Sequence, residues 1–155
     1  MNILFVCFQN TSRSPIAEGV LKKLAQYGGI DINVESAGCE PYLINHAPVS
    51  NAIEIAAKHD IDISNKKARL FSKDDFEKFD LIYAMDTRGY REVKNRIRNS
   101  ADLHKLDYFM NIMYPGQNRV LHNPEEFGTE SYEDLFNNIK ACCEKLLDTA
   151  SKKKM

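Results

Sequence analysis

The sequence predicts an α/β fold in which helices cover both faces of a four-stranded parallel sheet. Short apolar runs rich in strand-forming residues alternate with stretches of helical periodicity, a pattern typical of parallel sheets. The chain has 155 residues, 43% of them hydrophobic, which is enough for one core without disulfide or metal support. We therefore expect residues 1–155 to form a single domain.

The first predicted unit is a strand, a loop and a helix. Residues 3–7 form an apolar run, and a polar loop separates it from a helical pattern that begins at Ser14-Pro15. Proline suits the first helical turn, and Ser14 can cap it. Ligands of parallel sheets bind beyond the carboxyl ends of the strands, so the loop at residues 8–13 is the first place to look for a site.

The other elements follow in the same alternation. We expect strands over residues 30–36, 79–85 and 103–109, and helices over residues 48–58, 74–78, 87–98 and from about 131 onward. Cys142 and Cys143 fall on the apolar stripe of the last helix, so they are expected in the core. Residues 110–129 form a long loop, and loops of that length are usually functional or disordered.

The composition of the chain argues against several classes of protein. Lys and Arg number 21 against 22 Asp and Glu, a balance that argues against a nucleic-acid or membrane partner. The amino-terminal residues lack the features of a secretory signal, and no apolar run approaches the roughly 18 residues of a membrane span. The spacing of the four cysteines and four histidines fits neither a disulfide framework nor a metal site. We expect a cytoplasmic protein with free thiols, no cofactor and no metal, most simply a monomer.

The first loop combines residue types that are suited to binding an anion and to nucleophilic attack. A cysteine ends the strand, an arginine follows six positions later, and a serine opens the helix: Cys7, Arg13 and Ser14. Backbone N–H groups of such a loop and the helix N-terminus bind one tetrahedral dianion, and a guanidinium binds two of its oxygens at once. The same positive field favours a thiolate, which is the nucleophile that a phosphoryl-transfer enzyme requires. A cysteine at a strand end is otherwise most often a buried packing residue.

Residues 6–18, VCFQNTSRSPIAE, resemble the signature of the low-molecular-weight protein tyrosine phosphatases. The resemblance continues through residues 36–38, 61–69 and 75–86 in order and spacing. It implies a four-stranded parallel sheet with a phosphate-binding loop after the first strand. It also implies hydrolysis of phosphotyrosine proteins or small aryl phosphates through a phosphocysteine.

The resemblance also implies roles for single residues. Cys7 is the nucleophile, Arg13 the phosphate clamp, and Ser14 the hydroxyl that stabilises the sulfur. Asn10 braces the loop through hydrogen bonds that reach Ser36. Tyr42 and Phe127 form aromatic walls of the substrate pocket. The loop that binds the phosphate consists of Phe8, Gln9, Asn10, Thr11, Ser12 and Arg13.

The main departure from the family pattern is Asn123, which stands where the family has the general-acid aspartate of an Asp-Pro pair. An amide cannot supply the proton that a carboxylic acid gives, a contribution of typically about 10²–10⁴-fold. Glu125, Glu126 or, less well, His122 could substitute. Otherwise the leaving group departs unassisted, or the loop only binds phosphotyrosine or free oxyanions.

Three smaller departures affect the loop. Ser12 replaces a second cysteine, Gln9 replaces a glycine, and Lys66 stands where the family has a histidine that braces the loop asparagine. Arsenate reductase shares this fold and loop and is a third candidate activity. It needs two further cysteines in a mobile segment, which a helical Cys142-Cys143 pair and a solitary Cys39 do not provide. The sequence thus favours a cysteine-dependent phosphatase that lacks the family's usual general acid.

Overall fold

The computed structural model describes residues 1–127 and 131–153, with residues 126, 127 and 153 described by their backbone alone. Its strands are β1 (Asn2–Val6), β2 (Asn33–Ala37), β3 (Leu81–Ala84) and β4 (Leu106–Tyr108). All adjacent pairs are parallel, and the order across the sheet is β2-β1-β3-β4. The predicted α/β class with four parallel strands is confirmed.

Helices fill the connections between the strands. They are α1 (Arg13–Tyr27), α2 (Ser50–Lys58), α3 (Asp75–Lys78), α4 (Thr87–Lys94), α5 (Ser100–Lys105), α6 (Pro124–Phe127) and α7 (Tyr132–Lys153), with 3₁₀ turns at Pro41–Leu43 and Phe109–Ile112. Among the helices in the described ranges, none has the length and apolar character that a membrane crossing requires.

The central strand β1 shows why the sheet is covered on both faces. Its side chains alternate, as the two-residue period of a strand dictates. Ile3 and Phe5 pack in one cluster with apolar residues of α1, α2 and α7, whereas Leu4 and Val6 pack in a second cluster with residues of α3 and α4. All four side chains are fully buried, so an almost continuous apolar run is what this position requires.

The register of the sheet places three chain segments at one edge. Val6 pairs with Ala37 on one side and with Ala84 on the other. The chain therefore leaves all three strands at the same level, through Cys7, Gly38 and Met85. The carboxyl edge of the sheet is where the predicted site has to form.

Several boundaries differ from the sequence-based expectation, and β2 and β3 begin at Asn33 and Leu81 rather than at residues 30 and 79. Leu103 belongs to helix α5, because Asn99 accepts a hydrogen bond from Asp102 N (2.9 Å) and starts a helix there; only Leu106–Tyr108 remains as strand. The helix predicted over residues 87–98 ends at Lys94. The long loop predicted over 110–129 is interrupted by α6 and by a 3₁₀ turn.

The expected capping role of Ser14 is wrong. Helix α1 already begins at Arg13, with Ser12 at the N-cap position and no side-chain capping bond. The Ser14 hydroxyl instead lies inside the protein, where it contacts Asn10 and Cys7. By contrast, Cys142 and Cys143 on α7 are fully buried, which confirms that they belong to the core.

Candidate active site

The loop between β1 and α1 curls around the sulfur of Cys7. The backbone N–H of Asn10 donates to Cys7 Sγ at 3.2 Å. Asn10 reaches this position with φ of 58°, in the left-handed region that asparagine tolerates better than most residues. Gly38 packs directly against the bend, since a Cβ on Gly38 would lie 2.7 Å from Asn10 Cβ. The end of β2 therefore fixes the shape of the loop.

The sulfur of Cys7 receives a second contact from Ser14 Oγ, at 3.0 Å. Cys7 is only 1% exposed, yet its sulfur faces hydrogen-bond donors in the loop and in the first turn of α1. A buried packing cysteine needs neither. Donors at this spacing stabilise a thiolate more than a thiol.

The side chain of Asn10 ties the loop to its surroundings. Its Oδ1 accepts from Arg69 N (3.0 Å), and its Nδ2 donates to both Ser14 Oγ (2.8 Å) and Ser36 Oγ (3.0 Å). The side-chain oxygen of Asn10 and both hydrogens of its NH₂ group thus have hydrogen-bond partners. The loop is held from α1, from β2 and from the segment that precedes α3.

Arg13 is anchored at its far end by Asp86. Its Nη2 lies 2.8 Å from Asp86 Oδ2, and its Nη1 donates to the carbonyl of Leu121 at 2.9 Å. The same Asp86 oxygen accepts from Phe8 N (3.1 Å), while its other oxygen accepts from Gly89 N (2.6 Å) and caps α4. Asp86 thereby connects β3, α4 and the loop to the guanidinium.

Two buried polar atoms of this site have no hydrogen-bond partner within the described part of the chain, namely Arg13 Nε and Ser12 Oγ. A buried donor left unpaired costs about 1–3 kcal/mol. Both atoms belong to the loop that the sequence singles out for anion binding. An oxyanion held in the loop gives such donors an acceptor.

A cavity of about 220 Å³ opens beside the loop. Phe8, Arg13, Asp86 and Asn123 line it, together with Arg88, whose guanidinium lies 3.5 Å from the centre of the Phe8 ring. A larger cavity, of about 610 Å³, lies on the outer side of α1 and is lined by none of the residues of the loop. We assign the chemistry to the smaller cavity because it adjoins the buried donors.

Asn123 lies at the wall of this cavity and is 2% exposed. Its Nδ2 is 3.5 Å from Gln9 Oε1, a long contact, and its Oδ1 accepts from Glu125 N at 3.1 Å. The residues that depart from the family pattern at positions 9 and 123 thus meet each other. The position of the missing carboxylate is close to the loop, but the residue there carries an amide.

Glu125 is held by two donors outside the cavity. Its Oε1 accepts from Tyr132 Oη (2.7 Å) and from Asn51 Nδ2 (3.1 Å). Burial, followed by this hydrogen bond to Glu125, raises the pKa of Tyr132 well above its ordinary value, and neighbouring Ser12 offsets part of the rise. The phenol therefore stays protonated and donates to the carboxylate.

The remaining predicted site residues occupy varied positions. Thr11 is buried and its carbonyl accepts from Val49 N (2.9 Å), while His122 is exposed and lines the cavity. Tyr42 lies in the 3₁₀ turn with 88% of its surface exposed and does not line the cavity. The side chains of Phe127 and Glu126 lie outside the described residues.

The other thiols sit in surroundings that suppress ionisation. Burial raises the pKa of Cys142 to about 11 and raises the pKa of Cys143 well above its ordinary value. Burial, with Glu92 and Asp86 nearby, raises the pKa of Cys39 to about 12. Such thiols are poor candidates for the disulfide relay of an arsenate reductase. Within residues 1–127 and 131–153, no group of three or more His, Cys, Asp or Glu side chains converges as a metal site would require.

The sequence indicated no role for Asp86 or Tyr132, which both contact residues of this site. Asp86 follows β3, which neighbours β1, so its proximity to the first loop depends on the strand order, which the sequence patterns do not give. Tyr132 was grouped with the apolar stripe of the last helix. Its contact with Glu125 depends on how α6 packs against α7, for which the sequence carries no signal.

Comparisons with known proteins agree with this geometry. Residues 2–155 match the sequence profile of a family described as low molecular weight phosphotyrosine protein phosphatase. Low molecular weight phosphotyrosine protein phosphatase 2 of Drosophila melanogaster is 32% identical over 157 residues, which cover 99% of this chain and 94% of that protein. The crystal structure of YfkJ from Bacillus subtilis has a TM-score of 0.89 at 28% identity, covering 100% of this chain and 97% of that one. The structure of a Drosophila arginine phosphatase has a TM-score of 0.84 at 27% identity, covering 97% and 98%.

Proposed function

Because this chain belongs to the low molecular weight phosphotyrosine protein phosphatase family, we propose that it hydrolyses phosphotyrosine and related aryl phosphomonoesters through a phosphocysteine on Cys7. The observation that carries this proposal is the pair of contacts at Cys7 Sγ, from Asn10 N at 3.2 Å and Ser14 Oγ at 3.0 Å. Two donors aimed at one sulfur favour its anionic form, which is the nucleophilic one.

In the first step the Cys7 thiolate attacks phosphorus. The S–P bond forms, and the bond from phosphorus to the aryl oxygen breaks with its electron pair on the phenolate. Arg13 Nε and the loop N–H groups bind the non-bridging oxygens, while Asp86 and the Leu121 carbonyl keep the guanidinium in place. Fixed donors of this kind stabilise the charge that develops in the transition state.

In the second step a water oxygen attacks phosphorus. The S–P bond breaks, its electron pair returns to sulfur, and one water proton passes to solvent as inorganic phosphate forms. Ser14 donates to the departing sulfur, which makes the thiolate a better leaving group.

Asn123 limits the rate at which the aryl leaving group departs. Its amide cannot protonate the phenolate, so the leaving group takes its proton from water after it departs. Glu125 is a poor substitute as it stands, because Tyr132 Oη and Asn51 Nδ2 hold its carboxyl group outside the cavity. We therefore propose fast turnover of aryl phosphates with acidic leaving groups and slow turnover of phosphotyrosine itself. At the slow limit the protein acts as a phosphotyrosine- or oxyanion-binding module.

We further propose that the reaction needs no metal ion and takes place in the cytoplasm. The positive charge that a metal would supply comes from Arg13 and the amides of the loop. A reducing compartment keeps Cys7 as a thiol, which matters because Ser12 replaces the neighbouring cysteine that could protect it. The proposed partners are phosphotyrosine proteins or small aryl phosphates, with no nucleic acid and no membrane, and the proposed state is a monomer.

The test is turnover of p-nitrophenyl phosphate in the presence of a chelator. We expect activity in the parent, none in Cys7→Ser, and parent-like activity in Cys39→Ser, which removes a second thiol near the loop. Circular dichroism checks that each variant is folded. A folded parent without turnover contradicts the enzymatic proposal, and equal loss in both variants contradicts the role of Cys7.

A second candidate substrate is a phosphorylated arginine, as the name of one structural neighbour indicates for that protein. The observation that favours it here is the amide of Asn123 at the wall of the cavity, where hydrolysis of an aryl ester would require an acid. A phosphoguanidinium is already protonated, so cleavage of its P–N bond releases a neutral guanidine, which then takes a proton from water; the lack of a general acid therefore costs less than it does for an aryl ester. We propose that Glu125, whose backbone N–H donates to Asn123 Oδ1 at 3.1 Å, attracts the cationic product from just outside the cavity.

The two substrate classes separate in one experiment. Turnover of phosphoarginine and of a phosphotyrosine peptide is measured for the parent and for Glu125→Gln. If arginine is the substrate class, the substitution lowers kcat/KM for phosphoarginine alone. Equal kcat/KM values for the variant and the parent exclude this second candidate.

A further inference from the structure

Glu18 is a buried carboxylate that the proposed reaction does not use. It lies on α1 one turn after Ser14, and its side chain is 4% exposed. Its Oε1 accepts from Ser36 Oγ at 2.8 Å, and its Oε2 accepts from Lys22 Nζ at 2.7 Å and from Lys66 Nζ. Two ammonium groups thus bind one carboxylate. This carboxylate is one end of a chain of hydrogen-bonded side chains formed by Glu18, Ser36, Asn10, Ser14 and Cys7.

Hydrogen-bond direction along this chain follows from the chemistry of its members. An ionised carboxylate only accepts, so the Ser36 hydroxyl has to donate to Glu18. A lone pair of Ser36 Oγ then faces Asn10 Nδ2, 3.0 Å away. Asn10 cannot turn its amide around, since its Oδ1 is held by Arg69 N.

The chain ends at the proposed nucleophile. Asn10 Nδ2 has two hydrogens, one for Ser36 and one for Ser14 Oγ at 2.8 Å. Because Ser14 Oγ accepts that hydrogen, its own hydrogen is left for Cys7 Sγ at 3.0 Å. The Asn10 amide therefore donates along two branches, through Ser36 toward the carboxylate and through Ser14 toward the sulfur, with no conflict.

From this arrangement we infer that Glu18 is a positioning residue, which acts through Ser36 to hold the Asn10 amide so that the Ser14 hydroxyl donates to the Cys7 sulfur. The inference rests on the proposed function, because it assigns a role within the same site. Lys66 contributes in the same way, since it reaches the loop asparagine through Glu18 and Ser36. This is a different route from the direct brace that the family resemblance implies at position 66.

Electrostatics favour the ionised form of Glu18 on which the inference depends. Burial alone raises the pKa of Glu18, but the hydrogen bonds from Lys22, Lys66 and Ser36 outweigh it and hold the pKa below the ordinary value of 4.5. Throughout the neutral range the carboxylate accepts and never donates.

The substitution Glu18→Gln changes the donor pattern with almost no change in shape. Lys22 and Lys66 attract the amide oxygen of the new side chain, so its NH₂ faces Ser36. Ser36 Oγ then accepts from both NH₂ groups, and its own hydrogen loses the carboxylate that fixed its direction, so the hydroxyl no longer holds the Asn10 amide in one orientation. A disturbed Asn10 withdraws support from the Cys7 thiolate.

The readout is the pH dependence of Cys7 alkylation by iodoacetamide, which needs no turnover. We expect Glu18→Gln to raise the pH of half-maximal alkylation by about one unit, a tenfold change in the thiol–thiolate equilibrium. Glu144→Gln, which removes an exposed glutamate near Lys140 on α7, is the matched control and leaves the profile unchanged.

A double-mutant cycle separates this role from general loosening of the fold. If Glu18 acts through Ser36, Ser36→Ala shifts the profile in the same direction, and Glu18→Gln adds nothing in that background. Additive shifts contradict the inference. Should Glu18→Gln fail to fold, Ser36→Ala alone has to move the profile, and an unmoved profile refutes the chain.

The outcomes also separate this inference from the proposed function. A parent whose Cys7 alkylates with the profile of an ordinary exposed thiol contradicts the proposed function itself. A parent whose Cys7 alkylates at low pH, with an identical profile in Glu18→Gln, leaves the phosphatase proposal standing and overturns the role of Glu18.

Discussion

Replacing Asn123 with aspartate places a carboxyl group where the amide now lines the cavity beside the loop. The two side chains are nearly identical in shape, and residue 123 is 2% exposed, so the change tests chemistry rather than packing. Burial favours the protonated form of the new acid, whereas the Glu125 N–H at 3.1 Å favours the ionised form. Gln9, at 3.5 Å, can turn its amide to face either form.

The expected gain is that of a positioned general acid. A factor of about 10²–10⁴ in kcat corresponds to roughly 3–5 kcal/mol of transition-state stabilisation. The gain is largest for phenyl phosphate and phosphotyrosine, whose phenolates are strong bases. It is small for p-nitrophenyl phosphate, whose leaving group departs readily without a proton.

The assay measures kcat for a series of aryl phosphates whose leaving phenols differ in acidity. The parent should show a steep dependence on leaving-group pKa, and Asn123→Asp a shallow one. Asn33→Asp, at an exposed position on the amino end of β2, is the control and should retain the steep dependence. A shallow dependence in the parent means that another group already supplies the proton, which refutes the reasoning.

Three further predictions concern the frame of the site. Gly38→Ala brings a Cβ to 2.7 Å from Asn10 Cβ. The value of kcat should therefore fall by at least about tenfold, and the free energy of unfolding should fall by about 1–3 kcal/mol. The control is Gly28→Ala, where the nearest contact is an ordinary 3.4 Å, and it should leave turnover unchanged. Leu135→Ala empties a fully buried position on α7 and should lower the free energy of unfolding in urea by about 2–5 kcal/mol; a loss below 1 kcal/mol contradicts the packing described. Glu18 has a folded-state pKa below 4.5, so its stabilising contribution is present above about that pH and is lost as the pH falls through the folded-state value. The stability difference between the parent and Glu18→Gln should therefore shrink as the pH falls from neutral to values below 4.5, and a constant difference counts against the ionised pair.

Local sequence patterns were sufficient to predict the architecture of this protein. The apolar run of β1, the turn that follows it and the periodicity of α1 and α7 are short-range signals, and they predicted the parallel sheet and the position of the loop. They also placed Cys142 and Cys143 in the core. Residues with only weak local signals, such as those around Leu103, were assigned to the wrong element because Asn99 starts a helix that periodicity did not indicate.

The contacts that complete the site could not be predicted from the sequence. Arg13 meets Asp86 and the Leu121 carbonyl across 73 and 108 positions of chain, and such pairs depend on strand order and loop packing. Ser14 carries a strong capping signal, yet a tertiary contact with the sulfur of Cys7 decides its orientation. Local sequence preferences therefore indicate which contacts a polar side chain can make, and the surrounding fold determines which of them it makes.

The central claim is that the Cys7 sulfur becomes covalently bonded to phosphorus during turnover. Rapid quenching of the parent with an aryl phosphate, followed by peptide mass spectrometry, tests it directly. We predict one phosphoryl group on the peptide that contains Cys7, absent in Cys7→Ser and retained in Cys39→Ser. Turnover without phosphate on that peptide, or phosphate bound to another residue, would contradict the account.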